Sequence, residues 1–387
     1  MRLLILNYEF PPLGGGAGNA SKNISKELVK LGHEVTVITT WFKGLAARED
    51  LDGYKIIRVR SRRQRIDQSN VLEMLHFAHL AAMHASWILK KESRDYILSF
   101  FALPTGLSAW YINRKSGIPY ILSLRGGDVP GFLPATLRWH HWASAPLTRR
   151  VWKNASAIVA NSEGLKKLAE RTAIPLGKRI VCIPNGIDTE MFRPKEVHAK
   201  HREDLFSILF VGRLAEQKGV TFLLKALALI KSKDRSASNS MLCTLIGDGP
   251  LRSKLEREAK ELGLQDNVAF RGWIDRALLP QEYTNSTICV SPSSEEGMSN
   301  VVLEAMASGL AVITTDVAGN NEIVQSGING IVIKNMSELP GAILDLYYDA
   351  AKAKSLGQAA RKATLGWDWG KTATQYGNLL VTRMEND

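Results

Sequence analysis

At 387 residues the chain is too long for one comfortable core, and a composition of 45% hydrophobic and 23% charged residues excludes a low-complexity protein, so two globular domains are expected. The formal charge of +12 belongs wholly to the first half: residues 1–190 carry 27 Lys+Arg against 15 Asp+Glu, while residues 191–387 carry 23 of each. Such asymmetry points to an anionic partner for that half, namely a membrane surface, a phosphorylated acceptor or nucleic acid.

Apolar runs of strand length alternate with helical patterns, the mark of parallel α/β sheets. The first run, Arg2–Asn7, is too short for the apolar core of a secretory leader and soon meets Glu9 and Pro11-Pro12, so a cytoplasmic chain without a leader is expected. Gly14-Gly15-Gly16 follows it and precedes a helix over Asn19–Leu31. Glycines there let backbone amides approach an anion, which makes Gly15 and Gly16 candidate phosphate contacts. The turn lacks the dinucleotide fingerprint, because Asn19 stands at the sixth position and Thr39-Thr40-Trp41 bring no acid to the end of the second strand. That strand covers Glu34–Thr39 and the next Lys55–Val59. Arg58, Arg60, Arg62, Arg63 and Arg65 then crowd one short stretch. A helix is expected over Asn70–Lys90; His76 and His79 are neighbours on it, but His84 turns away, so no metal is expected. Strand Tyr96–Phe100 and helix Gly106–Lys115 share the longest uncharged stretch. Pro104-Thr-Gly106 interrupts it, which argues against a membrane span. Strand Tyr120–Leu124 runs into Arg125-Gly-Gly-Asp128. Beyond it, Phe132–Trp152 interleaves Trp139, His140, His141, Trp142, Arg149, Arg150 and Trp152. That mixture suits an anionic membrane surface, or equally a solvated loop with a half-buried helix. Strand Ala157–Ala160, helix Gly164–Thr172 and strand Arg179–Ile183 complete the half.

The charged stretch Arg193–Asp204 makes the best linker. A second alternation follows, with strands at Phe206–Val211, Leu242–Ile246, Val268–Phe270, Ile288–Val290, Ala311–Thr315 and Gly330–Ile333. Two doubly wound domains with a ligand at the carboxyl ends of their strands are the expected architecture. The cysteines Cys182, Cys243 and Cys289 fall in separate apolar runs and read as buried thiols in a reducing compartment. Gly212-Arg213 closes one strand, and Lys218 follows on a polar loop that opens a helix over Val220–Lys231. Two cations at such a switch can hold a diphosphate without metal. Ile288-Cys-Val-Ser-Pro-Ser leads into Glu296-Gly-Met-Ser-Asn-Val-Val-Leu-Glu304, with the first acid in a turn and the second on the opening turn of a helix. Free amides there attract an anion while the carboxylates accept from hydroxyls. Glu295 cannot substitute, since the same spacing from it reaches Leu303. Gly366–Thr372 looks like a phosphate loop but is one residue short between its glycines and has no preceding strand.

Gly14-Gly-Gly16, Ile183-Pro-Asn-Gly-Ile-Asp188, Gly212–Gly219, Ile246-Gly-Asp-Gly-Pro250, Ser291–Gly297 and the paired glutamates occur in a fixed order. Together they resemble the retaining GT-B glycosyltransferases of family 4, and the resemblance runs through most of the chain. It implies two Rossmann-like domains facing each other across a cleft: residues 1–190 for the acceptor, 191–365 for a nucleotide sugar, and a last helix over 366–387 that crosses back to the first. It implies metal-independent transfer, without a cofactor, from a nucleotide-diphosphate sugar to a saccharide or lipid-linked acceptor, in cell-surface polysaccharide synthesis on the inner face of a membrane. Nucleic acid is not an implied partner. By this resemblance Arg213, Lys218 and Glu296 form the catalytic set. Gly212, Arg213 and Lys218 would serve the donor phosphates and Glu296 the donor sugar. Gly297 and the amides of Met298, Ser299 and Asn300 would meet the phosphate, Glu304 the ribose hydroxyls, and Gly247 and Asp248 the base. Arg125 stands where many relatives carry a histidine; always charged, it suits phosphate or carboxylate and not proton abstraction. Asp128 would orient an acceptor hydroxyl or cap its own turn. The rivals are a GT-B nucleotide-sugar epimerase, which forms product without an acceptor, and a non-catalytic nucleotide-sugar or nucleic-acid binder. The intact charged quartet and the lack of a nucleic-acid-binding motif favour the transferase.

Overall fold

The computed structural model describes residues 1–65, 69–132, 138–194 and 205–384. Most of the expected linker, from residue 195 to Asp204, and residues 133–137 of the aromatic segment lie outside the described residues. The chain divides into two compact units, Met1–Gly186 with Trp369–Asp387, and Ile187–Asp368. These divisions fall within four residues of the boundaries read from sequence.

Unit one runs β1 (Arg2–Leu6), α1 (Gly16–Lys30), β2 (Glu34–Thr40), β3 (Arg48–Leu51), β4 (Tyr54–Val59), α2 (Val71–Lys91), β5 (Tyr96–Phe100), α3 (Thr105–Ser116), β6 (Tyr120–Ser123), α4 (Arg138–Asn154), β7 (Ala157–Ala160), α5 (Glu163–Ala173) and β8 (Ile180–Cys182). Its strand order is β3-β4-β2-β1-β5-β6-β7-β8, and only β3 is antiparallel. Central strands are buried on both faces, so they read as continuous apolar runs. Along β1, Leu4 and Leu6 feed one core layer while Leu3 and Ile5 feed the other, the two-residue period of a strand with helices on both sides. Strand β3, Arg-Glu-Asp-Leu, carries no apolar signal, because an edge strand buries little. Its hairpin turn, Asp52-Gly53 with φ of 49° and 84°, carries the turn signature that locates it.

Unit two runs β9 (Phe206–Val211), α6 (Val220–Lys233), α7 (Arg235–Asn239), β10 (Met241–Ile246), α8 (Arg252–Glu261), β11 (Val268–Gly272), α9 (Leu279–Thr284), β12 (Ile288–Ser291), α10 (Asn300–Ala307), β13 (Ala311–Thr315), α11 (Ala318–Asn321), β14 (Ile331–Ile333), α12 (Leu339–Tyr348) and α13 (Ala350–Thr364). Its order, β11-β10-β9-β12-β13-β14, is the doubly wound 3-2-1-4-5-6 arrangement, with the switch point between β9 and β12. Ile208 and Phe210 pack into one layer and Leu209 into the other.

The last helix, α14 (Trp369–Met384), returns to unit one. Trp369, Ala373, Tyr376 and Leu380 recur at helical spacing and are buried in the layer that also holds Ala20, Ile24 and Leu28 of α1. The Tyr376 hydroxyl meets Ser123 Oγ at 2.7 Å, which ties α14 to the end of β6.

Candidate active site

In unit two the turns after β9, β10 and β12 are laced together at the switch point. Gly212 N donates to Ile246 O at 2.9 Å, Leu214 N to Asp248 O at 2.9 Å and Leu251 N to Leu214 O at 3.0 Å. Gly247 holds φ of 129°, and a Cβ there would lie 2.0 Å from the Gly212 carbonyl oxygen, so only glycine lets these turns touch. Gly219, at φ of 68°, is excluded from carrying a Cβ by Pro292 O, also 2.0 Å away. That approach presses the β9 turn against the β12 turn. Ser294 N donates to Gln217 O at 2.9 Å, and Gln217 Nε2 to Glu295 O at 2.9 Å.

Two residues 78 apart in sequence therefore meet: Lys218 Nζ donates to Glu296 Oε1 at 2.5 Å. Their side chains are 25% and 10% exposed, so the pair is shielded yet open to a ligand from one side. Arg213 lies on the same turn with its side chain exposed, and its guanidinium has no hydrogen-bond or ion-pair partner among the described residues. Ser299 caps α10, its Oγ accepting from Val302 N at 3.4 Å, with Gly297 and buried Met298 just before it and Asn300 opening the helix. The helix dipole favours an anion at this end.

Glu304 faces inward and is 2% exposed. Arg276 Nη1 donates to its Oε1 at 2.7 Å, and the Tyr283 hydroxyl donates to its Oε2 at 3.0 Å. Burial, reinforced by the Glu304 charge, holds the Tyr283 phenol well above its ordinary range, so it remains a donor. Arg276 stands in the short turn between β11 and α9, with its guanidinium 5.1 Å from the Phe192 ring centroid. Neither Arg276 nor Tyr283 was anticipated. Both are remote from Glu304 in sequence and sit in no recognisable motif. Asp248 braces its own turn, accepting from Gly249 N at 2.7 Å and from Arg252 Nη1 at 3.4 Å. Burial pushes the Cys243 thiol up to about 12 and raises that of Cys289 as well, so both are inert packing groups.

The candidates of unit one look different. The Gly15 amide already meets Glu9 Oε2 at 3.3 Å, a carboxylate that the glycine pattern alone did not bring into account. Asp128 takes the second of its two expected roles, capping its own turn. Its Oδ1 accepts from the amides of Arg125 and Gly126 at 2.9 and 3.1 Å, and its Oδ2 from Ala102 N at 2.9 Å, which ties the turn after β6 to the turn after β5. Arg125 is braced as well, Nη1 donating to Asn185 Oδ1 at 2.7 Å and its guanidinium stacked 4.6 Å from the Phe100 ring centroid. The arginine run is not a uniform basic stripe. Arg58 is buried against Glu49 at 2.7 Å, and buried Arg63 lies 4.9 Å from the Tyr8 ring centroid. Trp152 is fully buried, whereas Trp142 is 83% exposed.

Known proteins resemble this chain along most of its length. The family model for glycosyl transferases group 1 matches residues 192–363, and that for Glycosyltransferase Family 4 matches residues 14–191. The GDP-mannose-dependent alpha-(1-6)-phosphatidylinositol monomannoside mannosyltransferase of Mycolicibacterium smegmatis is 24% identical over 99% of both chains. The alpha-monoglucosyldiacylglycerol synthase of Streptococcus pneumoniae is 25% identical over 89% of this chain and 78% of its own length. The fold matches that of a sucrose-phosphate synthase from Thermosynechococcus elongatus with a TM-score of 0.87 at 21% identity, covering 100% of each chain. Two doubly wound units with this switch-point site define a GT-B glycosyltransferase that uses a nucleotide sugar. The chain belongs to glycosyltransferase family 4, group 1.

Proposed function

We propose that this protein transfers a glycosyl group from a nucleotide-diphosphate sugar to a hydroxyl of a saccharide or lipid-linked saccharide, with retention and without metal, in cell-surface glycan synthesis. The unpartnered guanidinium of Arg213, on the turn that also brings Lys218 to Glu296, carries this reading. The acceptor oxygen bonds to the anomeric carbon as the bond from that carbon to the diphosphate oxygen breaks. The acceptor proton passes to the departing phosphate on the same face, while Arg213 and Lys218 balance the growing negative charge. Glu296 accepts from donor-sugar hydroxyls, Glu304 from the ribose, and the amides at the start of α10 face the phosphate. The test is to screen UDP-, GDP- and ADP-sugars for thermal stabilisation, then follow transfer by the stabilising donor in excess EDTA and read the new linkage by NMR. Retained anomeric configuration and unimpaired rate are expected. Inversion, or loss of activity to EDTA, would overturn the corresponding part.

The acceptor is read as membrane-borne. Of the two relatives named above, one is a mannosyltransferase named for phosphatidylinositol monomannoside and the other a synthase named for monoglucosyldiacylglycerol, both lipids. On α2, Leu72, Leu75, Met83 and Trp87 are exposed along one helical stripe that also carries exposed His79. Lys91 Nζ lies 4.0 Å and the Arg48 guanidinium 5.9 Å from the Trp87 ring centroid, so cations surround the apolar stripe at that end. An apolar stripe rimmed by cations fits the surface of an anionic bilayer. Among the described residues no helix is long and apolar enough to cross a membrane. Co-sedimentation with phosphatidylglycerol vesicles is expected at low salt, weakened by high salt and by Trp87→Asp. Absence of binding at low salt would remove the membrane from the reading.

A further inference from the structure

We infer that Arg276 and Tyr283 are positioning residues of the donor site, holding the Glu304 carboxylate aimed so that it can receive the hydroxyls of a nucleotide's ribose. The inference rests on the reading of Glu304 given above. A carboxylate only 2% exposed is expensive to bury unless it is paired and hydrogen-bonded. Here each oxygen is met once, by donors from different places: Arg276 from the turn after β11 and Tyr283 from α9. Two oxygens offer about four acceptor directions, so two remain for a vicinal diol.

The support is itself built into the core. Phe192 packs edge-on to the Tyr283 ring at 5.7 Å between centroids and lies under the Arg276 guanidinium at 5.1 Å. Three separate stretches, the segment at Phe192, the turn at Arg276 and α9, thus converge on one side chain of α10. The Arg276 side chain is 34% exposed against 3% for that of Glu304. It is therefore the outer partner, the one a donor meets first, and Tyr283 is the inner one. Arg276 supplies charge and Tyr283 supplies direction.

The test compares donor KM and kcat, with saturating acceptor, for Glu304→Gln, Arg276→Met, Arg276→Lys and Tyr283→Phe, with thermal melts as the folding control. Arg276→Met and Tyr283→Phe should each raise donor KM about tenfold, the loss expected for a bond to a charged group, while kcat changes far less. Arg276→Lys should recover much of the loss, because it restores the cation. In Glu304→Gln, a further Arg276→Met change should add little, since the group it positions has already lost its charge. If Glu304→Gln raises KM but the Arg276 and Tyr283 variants do not, or if Arg276→Met tightens donor binding, the positioning role is wrong and the ribose reading stands. If Glu304→Gln leaves KM unchanged, the ribose reading itself fails. Should Arg276→Met not fold, Arg276→Lys and Tyr283→Phe decide the matter alone.

Discussion

Arg213→Ala is expected to cut turnover roughly 100- to 1000-fold while leaving the protein as stable as the parent. The two halves of that expectation have separate causes. A departing nucleotide diphosphate gathers negative charge as its bond to the sugar breaks, and a fixed cation at that point stabilises the transition state more than the ground state. Arg213 is held at the carboxyl end of β9, where the backbone is fixed by the contact between Gly212 and Gly247. Its side chain is exposed and has no partner among the described residues, so removing it leaves no buried acid uncompensated. Steady-state kinetics with a thermal melt on the same preparation checks both halves. Arg213→Lys should recover part of the rate, because charge is kept while the planar fork that matches phosphate oxygens is lost. Near-normal turnover in Arg213→Ala would remove it from the catalytic set. Reduced turnover with a large fall in melting temperature would mean that the residue supports the fold instead.

Most of the fold was legible because parallel strands buried on both faces announce themselves as apolar runs; Phe206–Val211 and Ala311–Thr315 have the bounds expected of them. What escaped was governed by something other than burial. Strand β3 is charged and marginal, and its only trace is the Asp52-Gly53 turn. In the site, motif spacing brought Lys218 and Glu296 to notice, because each falls within a few residues of a strand end. Spacing could not reveal what fills the gaps between motifs. Arg276 and Tyr283 reach Glu304 only because the turn after β11 and helix α9 each bring a side chain to α10, a relation of tertiary structure without a local sequence mark. The same limit hid half of what Asp128 does. Its bonds to the Arg125 and Gly126 amides are local, but the bond to Ala102, which joins two loops, is not. Counting cations misled in a similar way: Arg58 and Arg63 contribute to the formal charge yet are consumed inside unit one. The apolar stripe on α2, by contrast, is partly hidden in sequence by the histidines interleaved with it.

The Lys218–Glu296 contact leads to the other large expected effect, which is one of coupling. Each residue balances its neighbour's charge at 2.5 Å in a shielded position. Lys218→Met should therefore lower turnover on the order of 100-fold and also destabilise the protein by about 1–3 kcal/mol, because it strands a carboxylate that is only 10% exposed. Glu296→Gln should lose activity to a similar degree with a smaller stability penalty, as the amide keeps the shape and can still hydrogen-bond. Changing both should not multiply the losses. Residues that act as one unit fail together, so the double variant should be within a few-fold of the poorer single variant. Binding of the bare nucleoside diphosphate, measured by calorimetry, separates the two roles. It should weaken in Lys218→Met, which removes a phosphate contact, and hold or tighten in Glu296→Gln, where a sugar contact is lost and an acid beside the phosphate is gone. Multiplicative losses in the double variant would show two independent contributions. In that case the ion pair would be no part of how the sugar is transferred.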